Sequence, residues 1–567
     1  MTGLSILLSP WRGCVSSARN HPRLWAFAFL GAVLLWASLP PVDFWPLAWF
    51  APIPWLLLVR CPTLEGRRPY FVIWFAGFCL WLAVLYWMCL PHWATSFGWI
   101  LLAFYYALYL SAFVGLARVA VHRLRVPIIV AAPVVWTGLE LFRSHFLTGI
   151  SLASLGHTQY RWVALIQIAD LAGAYGVGFV VMFVAASLAR MLPCGKQRCA
   201  FWPVLPAAAA LIAVLSYGSV RMERHPTDAG PRVALLQGSI DVTMQYDPGM
   251  KQRMSDEYFG LAQKAVKESA DSGRKLDLMI WPESMFPEHL ITSDADAKWL
   301  PEFKGTEAEF RQGLRDWAEW NQQGKTLLSR TARAFGLPLL LGVDAEYYSA
   351  AGPRCYNSAA YIARDGRLVG VYHKIHLVMF GEYVPLADRF PWLQRLTPLP
   401  ISATAGERSE SFDLAWGDGR TCRFAPNICY ESVFSHVIRR QVNQLAAEGR
   451  EPDFLVNITN DGWFWGSSAL DLHLACGVFR AVECRKPFLI AANTGFSAWI
   501  DADGRRLAIG PRHAPKVLFA QPEIASRPSW YLLHGDWFAG VCLAAVVFFA
   551  VGGWWDRRGK KGLGIGD

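Results

Sequence analysis

Charged residues are scarce in this sequence: Asp, Glu, Lys and Arg together make up 17% of 567 residues. Too little charge for a disordered chain, it is also too little for an ordinary soluble globule. Also missing are the spacings that announce metal or nucleotide chemistry. There is no Cys-x-x-Cys, no His-Glu-x-x-His and no phosphate-cradling Gly-x-x-x-x-Gly-Lys-Ser/Thr. No metal and no cofactor is therefore expected. The 12 cysteines are scattered. Cys194 and Cys199 share a short loop and read as incidental, while a disulfide among Cys355, Cys422, Cys476 and Cys484 is left open.

What is abundant is apolar. Hydrophobic residues reach 54%, with 27 Trp and 34 Phe, as in the aromatic belts of membrane proteins. Runs long enough to approach a membrane span, which takes about 20 residues, lie at 24–39, 45–59, 70–88, 97–119, 126–142, 163–188 and 201–217, with another at 537–555. The second is short and reads as tilted or re-entrant. Six more runs follow the first, so it is not a cleaved signal peptide.

A net charge of +10 fits nucleic-acid binding, but its distribution points elsewhere. Basic residues gather in alternate loops: Arg12, Arg19 and Arg23; Arg60, Arg67 and Arg68; Arg118, Arg123 and Arg125; Arg190, Lys196 and Arg198; Arg557, Arg558, Lys560 and Lys561. The loops at 40–44 and 91–96 have none. By the positive-inside rule both termini are cytoplasmic, and 218–529 lies outside, in a bacterial periplasm. The expected organisation is a transmembrane domain of seven helices over 1–218, a separate domain outside the membrane over 230–525, and a final helix with a basic tail over 535–567. Within the spans, Glu140 and Asp170 stand out because charge at membrane depth is costly; Arg143 sits one turn from Glu140 and can pair with it. The small and polar segment 148–159 reads as an irregular outer-face loop on a lipid path.

From Arg232 to about Pro522 charge becomes frequent and the pattern turns α/β. Strands are expected at 232–238, 276–281, 337–343, 359–363, 368–372, 422–428, 453–459, 488–493 and 497–501. Helices are expected at 251–272, 306–335, 433–447 and 470–484, with 289–309 an insertion.

Three motifs there carry chemistry. Cys429, in Ile428-Cys-Tyr-Glu-Ser432, sits between a strand and a helix, where the first N–H groups favour a thiolate or an oxyanion. Glu283 ends the strand Leu276-Asp-Leu-Met-Ile-Trp-Pro-Glu283, where open α/β sheets place working groups. Lys374 follows Tyr372-His373 and precedes Phe380-Gly-Glu-Tyr-Val-Pro385. A thiol is largely protonated at neutral pH and needs a base, for which Glu283 is the candidate. Charge building on a carbonyl oxygen needs fixed donors, for which Lys374 and the Tyr430 N–H are the candidates. Singly, each motif also reads as a buried cysteine, a turn carboxylate or a strand-end lysine. Apolar loops, Phe390-Pro-Trp-Leu393, Trp463-Phe-Trp465 and Trp530-Tyr-Leu-Leu533, suggest lipid contact or plain core packing.

Together, Trp-Pro-Glu283, Lys374 before Phe-Gly-Glu-Tyr-Val-Pro, and Cys429-Tyr-Glu resemble the Glu-Lys-Cys triad of the nitrilase (carbon–nitrogen hydrolase) superfamily. The Gly-Glu-Tyr-Val-Pro block and the apolar flanks are similar to its bacterial apolipoprotein N-acyltransferase branch, over roughly 24–555. The resemblance implies a periplasmic nitrilase-like α-β-β-α sandwich joined to a polytopic α-helical membrane domain of about eight transmembrane helices. It implies catalytic Glu283, Lys374 and Cys429, with Glu382 and Glu431 in support. Asn460-Asp-Gly-Trp463 and Asn493-Thr-Gly495 look like family loops. Arg480 and Glu483 read as a structural pair. Tyr246, Trp463 and Trp465 are lipid-contact candidates. The implied partners are a phospholipid acyl donor, a diacylglyceryl apolipoprotein acceptor and the bilayer of the inner membrane; nucleic acid is not among them, and the chain is expected to act as a monomer. Met379 stands where the family commonly has Pro, and Tyr246 where Trp is common. Two rival readings are a membrane-tethered amidase acting on small amides and a non-catalytic module that binds lipoproteins.

Overall fold

The computed structural model describes residues 21–194, 199–223, 228–242, 247, 249–294, 297, 306–386, 389, 390, 392, 402–417, 419–524 and 527–562. It divides into two compact units. One holds the described residues through Cys89, Thr95–Glu223 and those from Ser529 onward; the other holds Leu90–Ala94 and the described residues of Arg224–Pro528.

Proline decides how the apolar runs of the first unit fold. Helix α1 covers His21–Ser38. The run at 45–59 is not one helix: Pro46, Pro52 and Pro54 cut it into a 3-10 turn, Trp45–Trp49, and the eight-residue α2, Ile53–Arg60. At about 1.5 Å per residue such a helix cannot span alone. Its frayed end is closed by Arg118, whose guanidinium donates to the carbonyls of Leu58 (2.9 Å), Pro62 (2.9 Å) and Cys61. Then come α3 (Pro69–Val84), α4 (Thr95–Arg118), α5 (Ile128–His145), α6 (Val163–Ile166), α7 (Ala169–Met191) and α8 (Val204–Arg221). The run at 163–188 is thus also broken, between α6 and α7. Among the described residues, four helices are long and apolar enough to cross a membrane: Thr95–Arg123, Ala169–Met191, Val204–Arg221 and Trp537–Asp556. Arg23–Ser38 and Pro69–Val84 are apolar but shorter.

Both charges singled out in this unit are buried and partnered. Asp170 accepts from Tyr217 Oη at 2.7 Å and pairs with Arg221 at 2.7 Å. Glu140 accepts the Leu155 N–H at 2.9 Å and lies 4.0 Å from Arg143. Segment 148–159 is irregular, as expected, but Ser151–Gln159 is packed inside the unit rather than open.

The second unit contains two sheets. One has the order β14-β2-β3-β5-β6-β7, with β4 added beside β5. Its strands are β2 (Val233–Gln237), β3 (Leu278–Ile280), β4 (Leu290–Ser293), β5 (Leu339–Ser349), β6 (Gly352–Ile362), β7 (Leu368–His373) and β14 (Lys516–Ala520). The other has the order β13-β12-β11-β10-β9-β8, from β8 (Phe412–Trp416), β9 (Arg420–Ile428), β10 (Phe454–Asn460), β11 (Phe488–Asn493), β12 (Ala498–Ile500) and β13 (Arg506–Ile509). A short pair, β1 (Asp228–Ala229) with β15 (Glu523–Ile524), stands apart. Strands β2, β3 and β5 run parallel, as do β9, β10 and β11, and buried parallel strands read as continuous apolar runs.

Val233, Leu278, Ile280, Leu340 and Tyr372 from one sheet meet Phe424, Ile428, Val456 and Leu489 from the other in one buried core. The opposite face of the first sheet is covered by α9 (Met250–Asp271) and α10 (Glu307–Phe335), through Tyr258, Ala262, Leu328 and Ala332. Helices α11 (Ser435–Ala447) and α12 (Ala469–Cys484) follow β9 and β10; α12 packs so closely on β11 that a Cβ on Gly477 would meet Ile490 at 3.0 Å. The layering is α-β-β-α. In the segment 289–309, expected as an insertion, Leu290–Ser293 forms β4, paired parallel with β5, and residues 295, 296 and 298–305 lie outside the described residues. The expected helix at 433–447 starts later, because Cys429–Val433 forms a 3-10 turn. Cys355, Cys422, Cys476 and Cys484 are free thiols.

Candidate active site

Strand ends assemble the site. Glu283 lies in the turn after β3, Lys374 directly after β7, and Cys429 directly after β9. Glu283 and Lys374 come from one sheet and Cys429 from the other, so the site forms at the seam between them.

Lys374 is 1% exposed, and its Nζ lies 2.8 Å from Glu382 Oε1 and 3.5 Å from Glu283 Oε1. A buried ammonium is tolerable only when paired and hydrogen-bonded. Burial alone pushes Lys374 down, but the charges of Glu382, Glu283 and Cys429 outweigh it and hold the amine well above the usual lysine value. It is a fixed cation. Asn357, on β6, donates from Nδ2 to both Glu283 Oε1 (2.6 Å) and Glu382 Oε1 (3.2 Å), so one amide ties the two carboxylates together. The Asn460 N–H, at the end of β10, donates to Glu283 Oε2 at 2.7 Å. The Val378 N–H holds Glu382 Oε2 at 2.8 Å.

Cys429 is half-buried and adopts φ 51°, a left-handed conformation that costs a β-carbon-bearing residue about 1–3 kcal/mol. Such strain gathers where a side chain must be aimed. Burial pushes the thiol well above its ordinary pKa; Glu283 adds to that rise, and Lys374 opposes it. The resting sulfur is therefore a neutral thiol that needs a base. Glu431 locks the elbow. Its carboxylate is buried and accepts from the N–H groups of Ile428 (2.7 Å), Ile375 (2.8 Å) and His376 (3.0 Å) and from Tyr372 Oη (2.8 and 2.9 Å). It therefore binds the segment after Lys374 to the turn that carries Cys429. Burial raises the Glu431 pKa, against those N–H donors.

The structure brings Glu283, Lys374, Cys429, Glu382 and Glu431 into one constellation. Tyr430 follows the sulfur, half-buried, with its ring against Phe434. Trp463 and Trp465 lie on the turn after Asn460; Trp463 is half-buried, whereas Trp465 is 48% exposed and stands outside the buried cluster. Tyr246 lies outside the described residues. Arg480 and Glu483 pair at 2.8 Å, both buried behind the elbow. Sequence reasoning missed Asn357, Asn457, Thr459 and His473. For Asn457 and Thr459 the available signal was polarity inside a strand, Phe454–Asn460, that is otherwise largely apolar, since a buried polar group requires partners. Among the described residues no cluster of His, Cys, Asp and Glu is arranged to hold a metal ion.

Residues 31–187 match the apolipoprotein N-acyltransferase N-terminal domain, and residues 232–530 match the carbon–nitrogen hydrolase family. An apolipoprotein N-acyltransferase of Rhodopirellula baltica is 32% identical over 94% of this chain and 98% of its own length. One of Geobacter metallireducens is 32% identical over 93% and 95%. Among solved structures, an amidase of Nesterenkonia sp. AN1 is 18% identical, over 55% of this chain and 98% of that one, with a TM-score of 0.33. Similarity that runs through both units and nearly end to end means that the chain belongs to the apolipoprotein N-acyltransferase family.

Proposed function

We propose that this enzyme moves an acyl chain from a phospholipid, through a thioester on Cys429, to the α-amine of the N-terminal diacylglyceryl-cysteine of a lipoprotein. The observation that carries the chemistry is a cation, Lys374, buried between two glutamates, with a thiol whose pKa burial and the charge of Glu283 push up and Lys374 pulls down. The membership of the chain in its family supplies the substrates.

Glu283 takes the thiol proton as Sγ attacks the ester carbonyl. Lys374 Nζ and the Tyr430 N–H receive the negative charge on oxygen; one such donor is typically worth about 10²–10³ in rate. The C–O bond breaks, Glu283 returns the proton to the departing lysophospholipid oxygen, and Cys429 keeps the acyl group. The amine then attacks the thioester, Glu283 accepts its proton, and the C–S bond breaks. The thiolate regains the proton and the product is an amide. Donor leaves before acceptor reacts, which gives ping-pong kinetics. Glu382 and Asn357 position Lys374 and Glu283, and Glu431 positions the elbow. Trp463 and Trp465, with Tyr246, contact lipid.

The same proposal places the first unit, its final helix included, in the bacterial inner membrane as a multi-pass domain, with the second unit in the periplasm, both termini in the cytoplasm and the chain acting as a monomer. The loop charges support that orientation, and four helices meet the length and apolarity of a span. Mass spectrometry after incubation with phospholipid tests the chemistry: an acyl adduct on Cys429 that a diacylglyceryl-cysteine peptide removes is expected. Activity retained in Cys429→Ala, with no adduct in the unsubstituted enzyme, overturns it. Turnover of small amides without any lipid would favour an amidase instead.

A further inference from the structure

Behind the sulfur lies a set of polar groups that the mechanism above does not use. Three donors converge on one oxygen, the main-chain carbonyl of Cys429: Asn457 Nδ2 at 3.0 Å, His473 Nε2 at 3.1 Å and Ser432 Oγ at 3.1 Å. A carbonyl has two lone pairs, so three donors exceed what satisfying it requires. The donors come from three elements: β10, α12 and the elbow turn itself. Each is held in turn. Asn457 Nδ2 also donates to Asn427 Oδ1 at 2.7 Å, and His473 Nε2 lies 2.7 Å from Ser432 Oγ. His473 Nδ1 faces Asp461 Oδ1 at 3.2 Å, and Thr459 donates to that same oxygen at 3.1 Å.

The surroundings of the histidine favour its charged form. Nδ1 faces a carboxylate, which only accepts, so Nδ1 carries hydrogen; Nε2 faces the Cys429 carbonyl, which only accepts, and the Ser432 hydroxyl, which accepts or donates, and a hydrogen on Nε2 serves the carbonyl. The peptide unit is planar and trans, so the carbonyl of one residue and the N–H of the next point in opposite directions. Fixing the Cys429 carbonyl therefore fixes the Tyr430 N–H.

We propose that Asn457, His473 and Ser432 clamp the Cys429 carbonyl and thereby aim the Tyr430 N–H at the oxyanion of acyl transfer. They are positioning residues: none touches the reacting atoms, and each acts through the Cys429–Tyr430 peptide plane. The inference rests on the reading of Cys429 as acyl carrier. It explains why polar side chains occupy the buried strand β10 and why a histidine facing a carboxylate is held behind the elbow. Burial alone pulls the His473 pKa down, but Asp461 outweighs it and the net shift is upward, consistent with the charged ring.

The test separates two reactions of the same sulfur. Acylation by phosphatidylethanolamine and phosphatidylglycerol in mixed micelles builds an oxyanion. Alkylation by iodoacetamide, followed as its limiting rate for the thiolate at high pH, builds none. In the full-length enzyme, Asn457→Leu and His473→Leu each remove one group from the Cys429 carbonyl and leave no side-chain donor in its place. The expected result for both is Cys429 acylation slowed about 10²–10³-fold, as for loss of an oxyanion donor, with limiting alkylation within about twofold of the unsubstituted enzyme. Acylation at an unchanged rate overturns the clamp. So does a parallel fall in both reactions, which marks general loosening of the elbow. If the unsubstituted enzyme alkylates but never acylates on Cys429, the reading of Cys429 fails, and the clamp fails with it.

Discussion

Glu283 has two effects on Cys429 that pull in opposite directions. Its negative charge raises the thiol pKa, whereas its proposed role as base is to remove the thiol proton. Replacing it with glutamine separates the two. With the carboxylate gone and Lys374 still present, the thiol titrates at lower pH: the cation lowers the pKa and the anion that raised it is absent. Iodoacetamide alkylation of Glu283→Gln is thus expected to reach its half-maximum at lower pH than in the unsubstituted enzyme, whose own midpoint is expected above the ordinary cysteine value of about 8.5. Acyl transfer is expected to fall by about 10²–10⁴, the usual contribution of a general base. A midpoint that moves upward would contradict the charge arrangement described here. At this scale the sequence was most informative where a reactive type stood at a strand end, as Glu283, Lys374 and Cys429 do. It said little of Asn357, because an asparagine inside a strand has no local signature; its purpose exists only once β6 brings it between Glu283 and Glu382.

Between β3 and β5 the backbones approach closely enough to require glycine. A Cβ on Gly342 would lie 2.1 Å from the Pro282 carbonyl and 2.6 Å from Glu283 Cα. Gly342→Ala is expected to push the Glu283 turn outward. Overpacking of this kind typically costs about 1–3 kcal/mol, and a shift near 1 Å at a catalytic group costs about 10² in rate. Thermal unfolding and acyl transfer in detergent measure both. Gly260→Ala is the control: it lies inside α9, a Cβ there meets nothing within 4 Å, and its helix gains up to about 1 kcal/mol. Equal behaviour of the two variants would remove the argument. Elements with a clear period, such as α9, α10 and β11, were legible from the sequence. The run at 45–59 misled because hydropathy counts apolar side chains and ignores what Pro46, Pro52 and Pro54 do to main-chain hydrogen bonding. Strand β4 was hidden because four residues at the start of an apparent insertion carry too little pattern.

For the whole molecule, the broken second run makes topology the decisive measurement. If the main chain crosses the membrane at 45–60, the exposed loop at Glu65 is cytoplasmic and the exposed turn at Arg364 is periplasmic. Introduced singly as Glu65→Cys and Arg364→Cys in an otherwise reactive-cysteine-poor background, only the second is expected to react with a membrane-impermeant maleimide on intact cells. Labelling of both would mean that the short α2 turns back on itself and that the count of crossings changes. The order of units along the chain was readable because apolar composition gives way to charge near 230; the pairing of the two sheets was not, since no local pattern says which strand face meets which.

The seam between those sheets has a consequence for biosynthesis. Glu283 and Lys374 stand on one sheet and Cys429 on the other, and β14, a strand of the first sheet, follows every strand of the second in the chain. Until the halves dock, the sulfur has neither a proton acceptor nor a counter-charge, and a nascent or half-folded molecule carries an unarmed cysteine among membrane lipids. On the proposed mechanism, acyl-accepting ability is then a late event in maturation, and the thioester in a pulse-labelled cell is expected to lag completion of the full-length chain.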